Sequence, residues 1–577
     1  MKKIAQIIDS YDEWIFHNTK FDVRALTKAG IDMESLGWRE RYQDTVLASH
    51  VMCSNEPHDL KWIGWKYFDI SEDDEKQLKD TVKKARRMAK QMGWNCGPHS
   101  PSQSVVEQDY WLPSAINRCT DDYAGEPCKE YATTDGKRTM LAWMMYRDLL
   151  AQEDLWEPYL RERRLLPIVY DMEDKGVTIH NGKLVSEIKR YSKHATSLEK
   201  KCTKIAKAKG FKEFNINSNA QVGKLLHTDT QGFKVPVEHW TASEKNPQPS
   251  LDSKVAIPAL LTSTTGPALS FLQSFSSRKK ANTAVKYLTL YDELKLPLDD
   301  SHWYLHPSFN QTGTGTTRFS CSNPNTQNIG KGDDDTEDEE GDFKLRSVFG
   351  PRSGRIWYCI DYAQLQLRIF AYASQQKSMI EAFKKGYDFH SFVASEIFNK
   401  PVSEITKNEK RVGKNVNFGF IFGAGPKKIE LASGMPGLYK KVSKLFPNAH
   451  DFLKENIALA EEDGYVYTMG GYRLYVPRER TYAATCYKVQ GTEGDIVKNG
   501  MIEVDAYLST LPDHYLTMQV HDELVFDFPL KTKAKHKRYL REIVSRMTDA
   551  GSRVGVITPV NIEVCQEHWA DAEKISL

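Results

Sequence analysis

Two long apolar stretches, far apart in the chain, each carry an acidic residue. Ile356-Trp357-Tyr358-Cys359-Ile360 runs directly into Asp361, and Met518-Gln519-Val520-His521-Asp522-Glu523-Leu524-Val525-Phe526 holds Asp522 near its middle. Both predict buried β-strands. Between them, Lys410, Lys414, Phe418 and Phe422 fall four apart. Four residues of α-helix turn about 400°, so these side chains share one broad face, with cations at one end and rings at the other. Arg411 flanks that face. An amphipathic core helix with exposed lysines fits the same spacing. Residues 183–300 predict mostly helices. Residues 464–476 predict two strands, Tyr465-Val466-Tyr467 and Tyr472 to Val476, turning at Gly470-Gly471. Residues 1–155 predict one mixed α/β domain rich in Trp and Tyr.

Polar stretches punctuate this pattern. Residues 93–128 read as a loop and contain Cys96, His99, Cys119 and Cys128, a possible four-ligand zinc set. Their spacing is irregular, and free cysteines plus a surface histidine fit it better. Residues 304–330, dense in Gly, Thr, Ser and Asn, predict a long ordered loop. The block Asp333-Asp334-Asp335-Thr336-Glu337-Asp338-Glu339-Glu340 predicts a solvated surface loop. Arg278-Lys279-Lys280 is either a solvated helix face or a contact to a nucleic-acid backbone.

The bulk numbers narrow the function. The 577 residues allow several domains, and 40% hydrophobic with 27% charged is ordinary for a globular protein. A net charge of +2 excludes a uniformly basic particle, so a nucleic-acid partner needs charge gathered into a cleft. Nine scattered cysteines fit a reducing compartment rather than a disulfide scaffold. No signal peptide and no membrane-spanning apolar run are evident, which predicts a cytoplasmic protein with no membrane partner. No P-loop is present, so phosphates must be bound another way. Paired carboxylates suit hard divalent ions, and a cationic helix face suits phosphates. Together they point to metal-assisted phosphoryl transfer on a nucleotide.

Longer motifs carry a resemblance. Asp361-Tyr362-Ala363-Gln364-Leu365-Gln366-Leu367-Arg368 resembles motif A of the family A DNA polymerases, the bacterial DNA polymerase I family. Residues 410–423 resemble motif B, the fingers helix, and Val520-His521-Asp522-Glu523 resembles motif C. Thr316-Thr317-Arg318-Phe319-Ser320, Pro324-Asn325-Thr326-Gln327-Asn328-Ile329, Asp388-Phe389-His390 and Gln490-Gly491-Thr492 fall in the family's order. The match runs from about residue 160 to the C-terminus.

The resemblance implies an α/β multi-domain, right-hand polymerase of palm, thumb and fingers, preceded by an incomplete RNase H-like exonuclease domain. Its parts would be 1–155, the exonuclease-like domain; 156–345, the start of palm and thumb, the thumb near 183–300; 346–385, palm with motif A; 386–480, fingers; and 481–577, palm with motif C. It implies DNA-directed DNA synthesis from dNTPs on a primer-template with two Mg²⁺ ions, for which Mn²⁺ can substitute. Asp361 and Asp522, with the Tyr362 carbonyl, would hold the metals. Lys414 would meet the phosphates and act as general acid, with His390 and Lys410 on the outer phosphates. Gln364, Gln366, Arg411, Phe418 and Phe422 complete the nucleotide site. Arg318, Asn325, Gln327, Gln490 and His521 would touch the primer-template, mostly in the minor groove, where pair shape is checked without reading sequence. Arg278, Lys279 and Lys280 then fall in the thumb, which favours phosphate contact.

Several positions depart from the family. Gln366 stands where Glu is usual and Phe422 where Tyr is usual; losing both partners of a hydrogen bond avoids a buried orphan. Gln366 keeps the bulk that opposes a ribose 2′-hydroxyl, so DNA rather than RNA synthesis is expected. Lys410 replaces an Arg whose contact Arg411 can take over. Phe418 resembles members that reject dideoxynucleotides, and Cys486 replaces an Asn on the template side. Phe16 to Asp22, with Asn18 and Asp22, resembles the second motif of the family's 3′–5′ exonuclease, and Tyr131 to Asp135 resembles its third. The first, an Asp-x-Glu that holds the metals, finds no room before Met1. No proofreading by this chain alone is therefore expected; a separate polypeptide completing the domain is the alternative to a structural remnant. The compact plan and the block from Phe16 to Leu26 resemble phage polymerases, which suggests phage genome replication. The competing readings are a single-subunit RNA polymerase and a polymerase-like subunit that only binds DNA.

Overall fold

The computed structural model describes residues 2–94, 112, 115–116, 126–228, 232–237, 239–241, 246–253, 256–298, 302–329, 343–421 and 423–577. Cys96, His99, Cys119, the 333–340 acidic block and Phe422 lie outside them. Among the described residues no helix is long and apolar enough to cross a membrane. Cys128 is half-buried on a helix rather than in a loop.

The N-terminal segment holds, among helices, two short strands, β1 (Trp14–Phe16) and β2 (Tyr42–Asp44), paired in parallel. Asp44 then caps α1 (Thr45–Met52), accepting from the Val46 and Leu47 amides at 2.8 and 3.1 Å. The rest of its described residues are mainly helical, including α2 (Glu126–Gln152), so the α/β mixture there is two short strands set among helices. The aromatic side chains serve helix packing: Trp38, Tyr42, Trp143 and Tyr159, the last on α3 (Trp156–Lys175), are all buried. Their core is shared with Tyr472, Leu474 and Val476, much later in the chain.

His50, on α1, bolts this segment down. Its Nε2 lies 3.0 Å from the Thr314 carbonyl, which can only accept, so the ring is the Nε2–H tautomer and Nδ1 accepts from the Tyr472 hydroxyl at 2.6 Å. Burial, with the nearby His58 and Lys498, pushes it down from 6.5 to about 3. A depressed histidine contributes stability that is present above 6.5 and lost as pH falls toward about 3. Thermal melts on either side of that upper value should show the acid loss in the native protein and a flatter profile in His50→Gln, whose amide can replace both bonds. Identical slopes would contradict the assignment.

Next, within the stretch predicted to be mostly helical, α4 (Asn181–Ala208) packs along α5 (Gly266–Leu294). The charge reading there is corrected. Arg278 is 5% exposed and is bound to Glu199 Oε2 at 2.9 Å and Asn217 Oδ1 at 2.9 Å, so it holds the two helices together rather than offering itself to a phosphate. Lys279 donates to the Leu251 carbonyl at 2.9 Å, and only Lys280 of the three is exposed. The 304–330 loop contains an antiparallel pair, Ser308–Asn310 with Ser320–Ser322.

The apolar run before Asp361 forms β3 (Arg355–Tyr362), whose first six residues are buried. Side chains such as Trp357 and Ile360 each stabilise the fold by roughly 1.5–3 kcal/mol through burial. It is followed by α6 (Leu365–Ala373), α7 (Phe389–Phe398) and α8 (Lys407–Ile421). The predicted hairpin is β4 (Tyr465–Tyr467) with β5 (Arg473–Tyr475). Then come α9 (Ala484–Leu508), β6 (Tyr515–Val520), β7 (Glu523–Pro529), α10 (Lys533–Ser552), β8 (Val560–Cys565) and β9 (Glu573–Ile575). The sheet is antiparallel throughout, in the order β6-β7-β3-β8-β9, which puts β3 at its centre.

Candidate active site

The register of the sheet brings the two acidic residues together. Asp361 on β3 pairs across with Glu523 on β7 and Asn561 on β8. Val520 pairs with Glu523, so His521 and Asp522 form a two-residue turn between β6 and β7. His521 sits at φ 58°, a left-handed conformation costly for a side chain with a Cβ and more often found at functional sites. The Tyr362 amide donates to the Asp522 carbonyl at 3.2 Å, tying the turn to the end of β3.

The side chains behind the turn hold it there. Gln327 Nε2 donates to Gln519 Oε1 at 2.6 Å, and Gln519 Nε2 donates to the His521 carbonyl. Glu523, directly opposite Asp361 in the register and lining the same cleft, is held as well. It is gripped by Arg346 at 3.1 Å and by Trp569 Nε1 at 3.3 Å, with the Arg346 guanidinium 3.7 Å above the Trp569 ring. Gln519, Arg346 and Glu523 were not singled out in the sequence; a carboxylate inside an apolar strand next to Asp522 was the available sign.

Asp361 and Asp522 line a cleft of about 520 Å³ together with Gln327, Asn328, Arg346 and His521. That volume suits a ligand. Burial and the charge of Glu493 push Asp522 up to about 7, and its carboxyl hydrogen-bonds that of Asp361. Two adjacent carboxylates cannot both shed their protons cheaply, and a divalent cation would displace the shared one. Among the described residues no group of three or more His, Cys, Asp or Glu could hold a metal. Two carboxylates completed by backbone and substrate oxygens is the way Mg²⁺ is commonly bound, so the residues present fit that ion.

The helix expected to meet phosphates is α8. It lies close against α7 because residue 413 is glycine: a Cβ there would run into the His390 carbonyl. Lys410 pairs with Asp388 at 3.2 Å, and Gln364 Nε2 donates to the same carboxylate at 3.3 Å. Burial raises the Asp388 carboxyl, but Ser391 and Lys410 outweigh it and hold it low. His390 Nδ1 accepts from Asn417 Nδ2 at 3.0 Å, and its ring lies 5.7 Å from that of Phe418. Burial lowers the His390 imidazole, opposed by Asp388 and reinforced by Lys414 and Lys410. Arg411 and Lys414 are exposed and pair with no described carboxylate.

The expected primer-template residues are partly engaged. Arg318 donates to Glu493, Asn325 Oδ1 accepts from the Gln327 and Asn328 amides at 3.0 and 3.2 Å, and Gln490 is half-buried on α9. Gln366 brings a correction: its Oε1 is buried without a hydrogen-bond partner, so an orphan is present after all. Of the N-terminal set, Asn18 is left-handed at φ 74° before the 19–28 helix. Asp22 is pushed up to about 7 by burial and Asp44, and Asp135 is held by Lys61 and by Arg138, the latter at 2.9 Å. The Lys61 ammonium also sits 4.1 Å over the Tyr131 ring.

Comparison with known proteins gives a consistent picture. The family model for DNA polymerase family A matches residues 183–571. DNA polymerase I of Bacillus subtilis is 30% identical over 420 residues, 68% of this chain and 44% of that protein. DNA polymerase I of Borreliella burgdorferi is 25% identical over 570 residues, 94% of this chain and 54% of that protein. That of Caldicellulosiruptor bescii is 28% identical over 421 residues, 70% and 46%. The chain thus spans about half the length of these relatives. A structure of the POL domain of Pol1 from M. smegmatis, in complex with DNA primer-template and dNTP, superposes with a TM-score of 0.72 at 22% identity, covering 96% of this chain and 86% of that one.

Proposed function

The chain belongs to DNA polymerase family A, and from that membership we propose that it is a DNA-directed DNA polymerase, adding nucleotides from dNTPs to a primer 3′-hydroxyl. The observation that carries this reading is the pairing of Asp361 and Asp522 at the floor of one cleft, with the Asp522 carboxyl raised to about 7. Asp361, Asp522 and the Tyr362 carbonyl would hold two Mg²⁺ ions, which lower the pKa of the attacking hydroxyl and neutralise the departing pyrophosphate.

The remaining work falls to named side chains. His390 accepts at Nδ1, so its proton is on Nε2, ready for an outer phosphate oxygen. Lys414 gives charge, and a proton, to the phosphate side. Arg411 supplies the fork that Lys410 cannot, since Lys410 is engaged with Asp388. The Phe418 ring takes the apolar face of the nucleotide, and the Gln366 side chain opposes a 2′-hydroxyl. Arg318, Gln327, Gln490 and His521 would lie on the primer-template side, and Lys280 is exposed on the thumb helix.

We further infer that this chain does not proofread. Lys61 and Arg138 already neutralise Asp135, where an exonuclease would need a carboxylate bare enough for a metal. Replication of a phage genome is the biological role that the resemblance of the 16–26 segment favours. An end-labelled primer-template in Mg²⁺ tests both points. Extension by dNTPs in preference to rNTPs, with no shortening when nucleotides are withheld, is expected. Shortening without nucleotides would contradict the exonuclease inference. Failure to extend would favour a DNA-binding subunit, and equal use of rNTPs would favour an RNA polymerase.

A further inference from the structure

The turn that carries Arg318 is held from the N-terminal part of the chain. It joins the paired strands Ser308–Asn310 and Ser320–Ser322. It is pressed on α9, where residue 494 is glycine: a Cβ there would sit 2.7 Å from Thr317 Oγ1. Thr317 is buried and left-handed at φ 59°, a conformation that a β-branched residue keeps only when its surroundings impose it. The turn also meets α1. His50, 1% exposed, donates from Nε2 to the Thr314 carbonyl at 3.0 Å. Thr314 Oγ1 donates in turn to the Arg318 carbonyl at 2.8 Å, and the Arg318 side chain donates to Glu493. Three bonds thus run in series from α1 through Arg318 to α9. A second tie fixes the strand that leads into the turn. Lys20 Nζ donates to the Phe309 carbonyl and to Glu173 Oε1, each at 2.6 Å, and the same Glu173 oxygen accepts from the Phe309 amide at 2.7 Å.

A binding side chain on a turn is only as well placed as the turn itself, and an error of about 1 Å in such a group is costly. We propose that His50 is a positioning residue for primer-template binding: through the carbonyl and the hydroxyl of Thr314 it fixes the backbone from which Arg318 reaches the DNA. The ring does this from a fixed place of its own. Its Nδ1 accepts from the hydroxyl of Tyr472, which lies between β4 and β5, so the turn, α1 and that hairpin are locked to one imidazole. The N-terminal segment then serves synthesis without excising anything, by bracing the turn from behind. This rests on the polymerase reading above, which puts Arg318 on the primer-template side.

The test breaks the series at two points. His50→Leu removes both ring bonds, and Thr314→Val removes only the hydroxyl that reaches the Arg318 carbonyl. His50→Gln keeps a donor and an acceptor and is the conservative control. Fluorescence anisotropy of a labelled primer-template gives Kd without catalysis, single-nucleotide extension at saturating primer-template gives kcat, and thermal melts give Tm. Kd should rise roughly tenfold in His50→Leu and roughly fivefold in Thr314→Val, with kcat within about twofold of native. His50→Gln should bind almost as the native protein does. The double variant His50→Leu with Thr314→Val should bind no worse than His50→Leu alone, because both changes cut the same series. A lower Tm in His50→Leu with an unchanged Kd would make the residue merely structural and overturn the proposal. Additive rises in Kd, or a fall in kcat with Kd unchanged, would overturn it too. Should His50→Leu fail to fold, an unchanged Kd in Thr314→Val is enough to overturn it. A native protein that binds primer-template but extends none would defeat the polymerase reading, while the binding comparison still decides the role of His50. One that binds no primer-template would defeat both.

Discussion

Asp522→Asn should lower kcat for primer extension by roughly a thousandfold, the loss expected when several kcal/mol of charge stabilisation at the reacting phosphate is removed. The substitution is nearly isosteric. It leaves the backbone bond from the Tyr362 amide to the residue 522 carbonyl, and the Gln327–Gln519 support behind the turn, untouched. It also removes one of two adjacent half-buried carboxyls, so the fold should not suffer. Primer-template affinity, measured by fluorescence anisotropy, should hardly change. A variant that extends primers within a few-fold of the native rate would show that Asp522 is not a metal ligand. One that no longer binds DNA would show that the residue supports the cleft instead.

The second large effect concerns stability. Lys498, on α9, is 1% exposed and is held between the two oxygens of Glu162 on α3 at 2.9 and 2.8 Å. Gln311 donates to Glu162 at 2.9 Å, and Arg161 pairs with Asp495 at 2.7 Å alongside. This buried network joins positions separated by most of the chain and fixes the helix that carries Gln490 and Glu493. Glu162→Met strands a buried ammonium and should cost about 3–5 kcal/mol. Glu162→Met with Lys498→Met replaces the pair by apolar groups and should recover most of that loss. Denaturant unfolding of the native protein, Glu162→Met, Lys498→Met and the double variant measures the cycle. A small loss in the single variant would mean that the ammonium reaches water or neutralises at little cost.

What could be read from the sequence depended on how local its cause was. Asp361 was legible because an apolar run ending on a carboxylate has few other meanings, and β3 is that run. The α8 face was legible because helical period alone aligns Lys410, Lys414 and Phe418. Arg278 was misread for the same kind of reason. It lies three and seven residues after Phe275 and Phe271, on the buried stripe of α5, but the neighbouring Lys279 and Lys280 drew attention to charge. Its partner Glu199 is on another helix, which no local pattern reveals. Glu493 was passed over because the motif beside it pointed to Gln490. Its partner Arg318 arrives from elsewhere in the chain. The N-terminal segment looked mixed in sequence because Trp and Tyr favour strands. There they fill a core between helices, and tertiary packing overrides propensity.

The most direct measurement is single-nucleotide addition on four primer-templates that differ only in the first unpaired template base, each offered one dNTP at a time in Mg²⁺. Each template should accept its complementary dNTP far faster than the other three, and Asp361→Asn and Asp522→Asn should both abolish the addition. Addition indifferent to the template base, or addition that survives both substitutions, would contradict the polymerase reading.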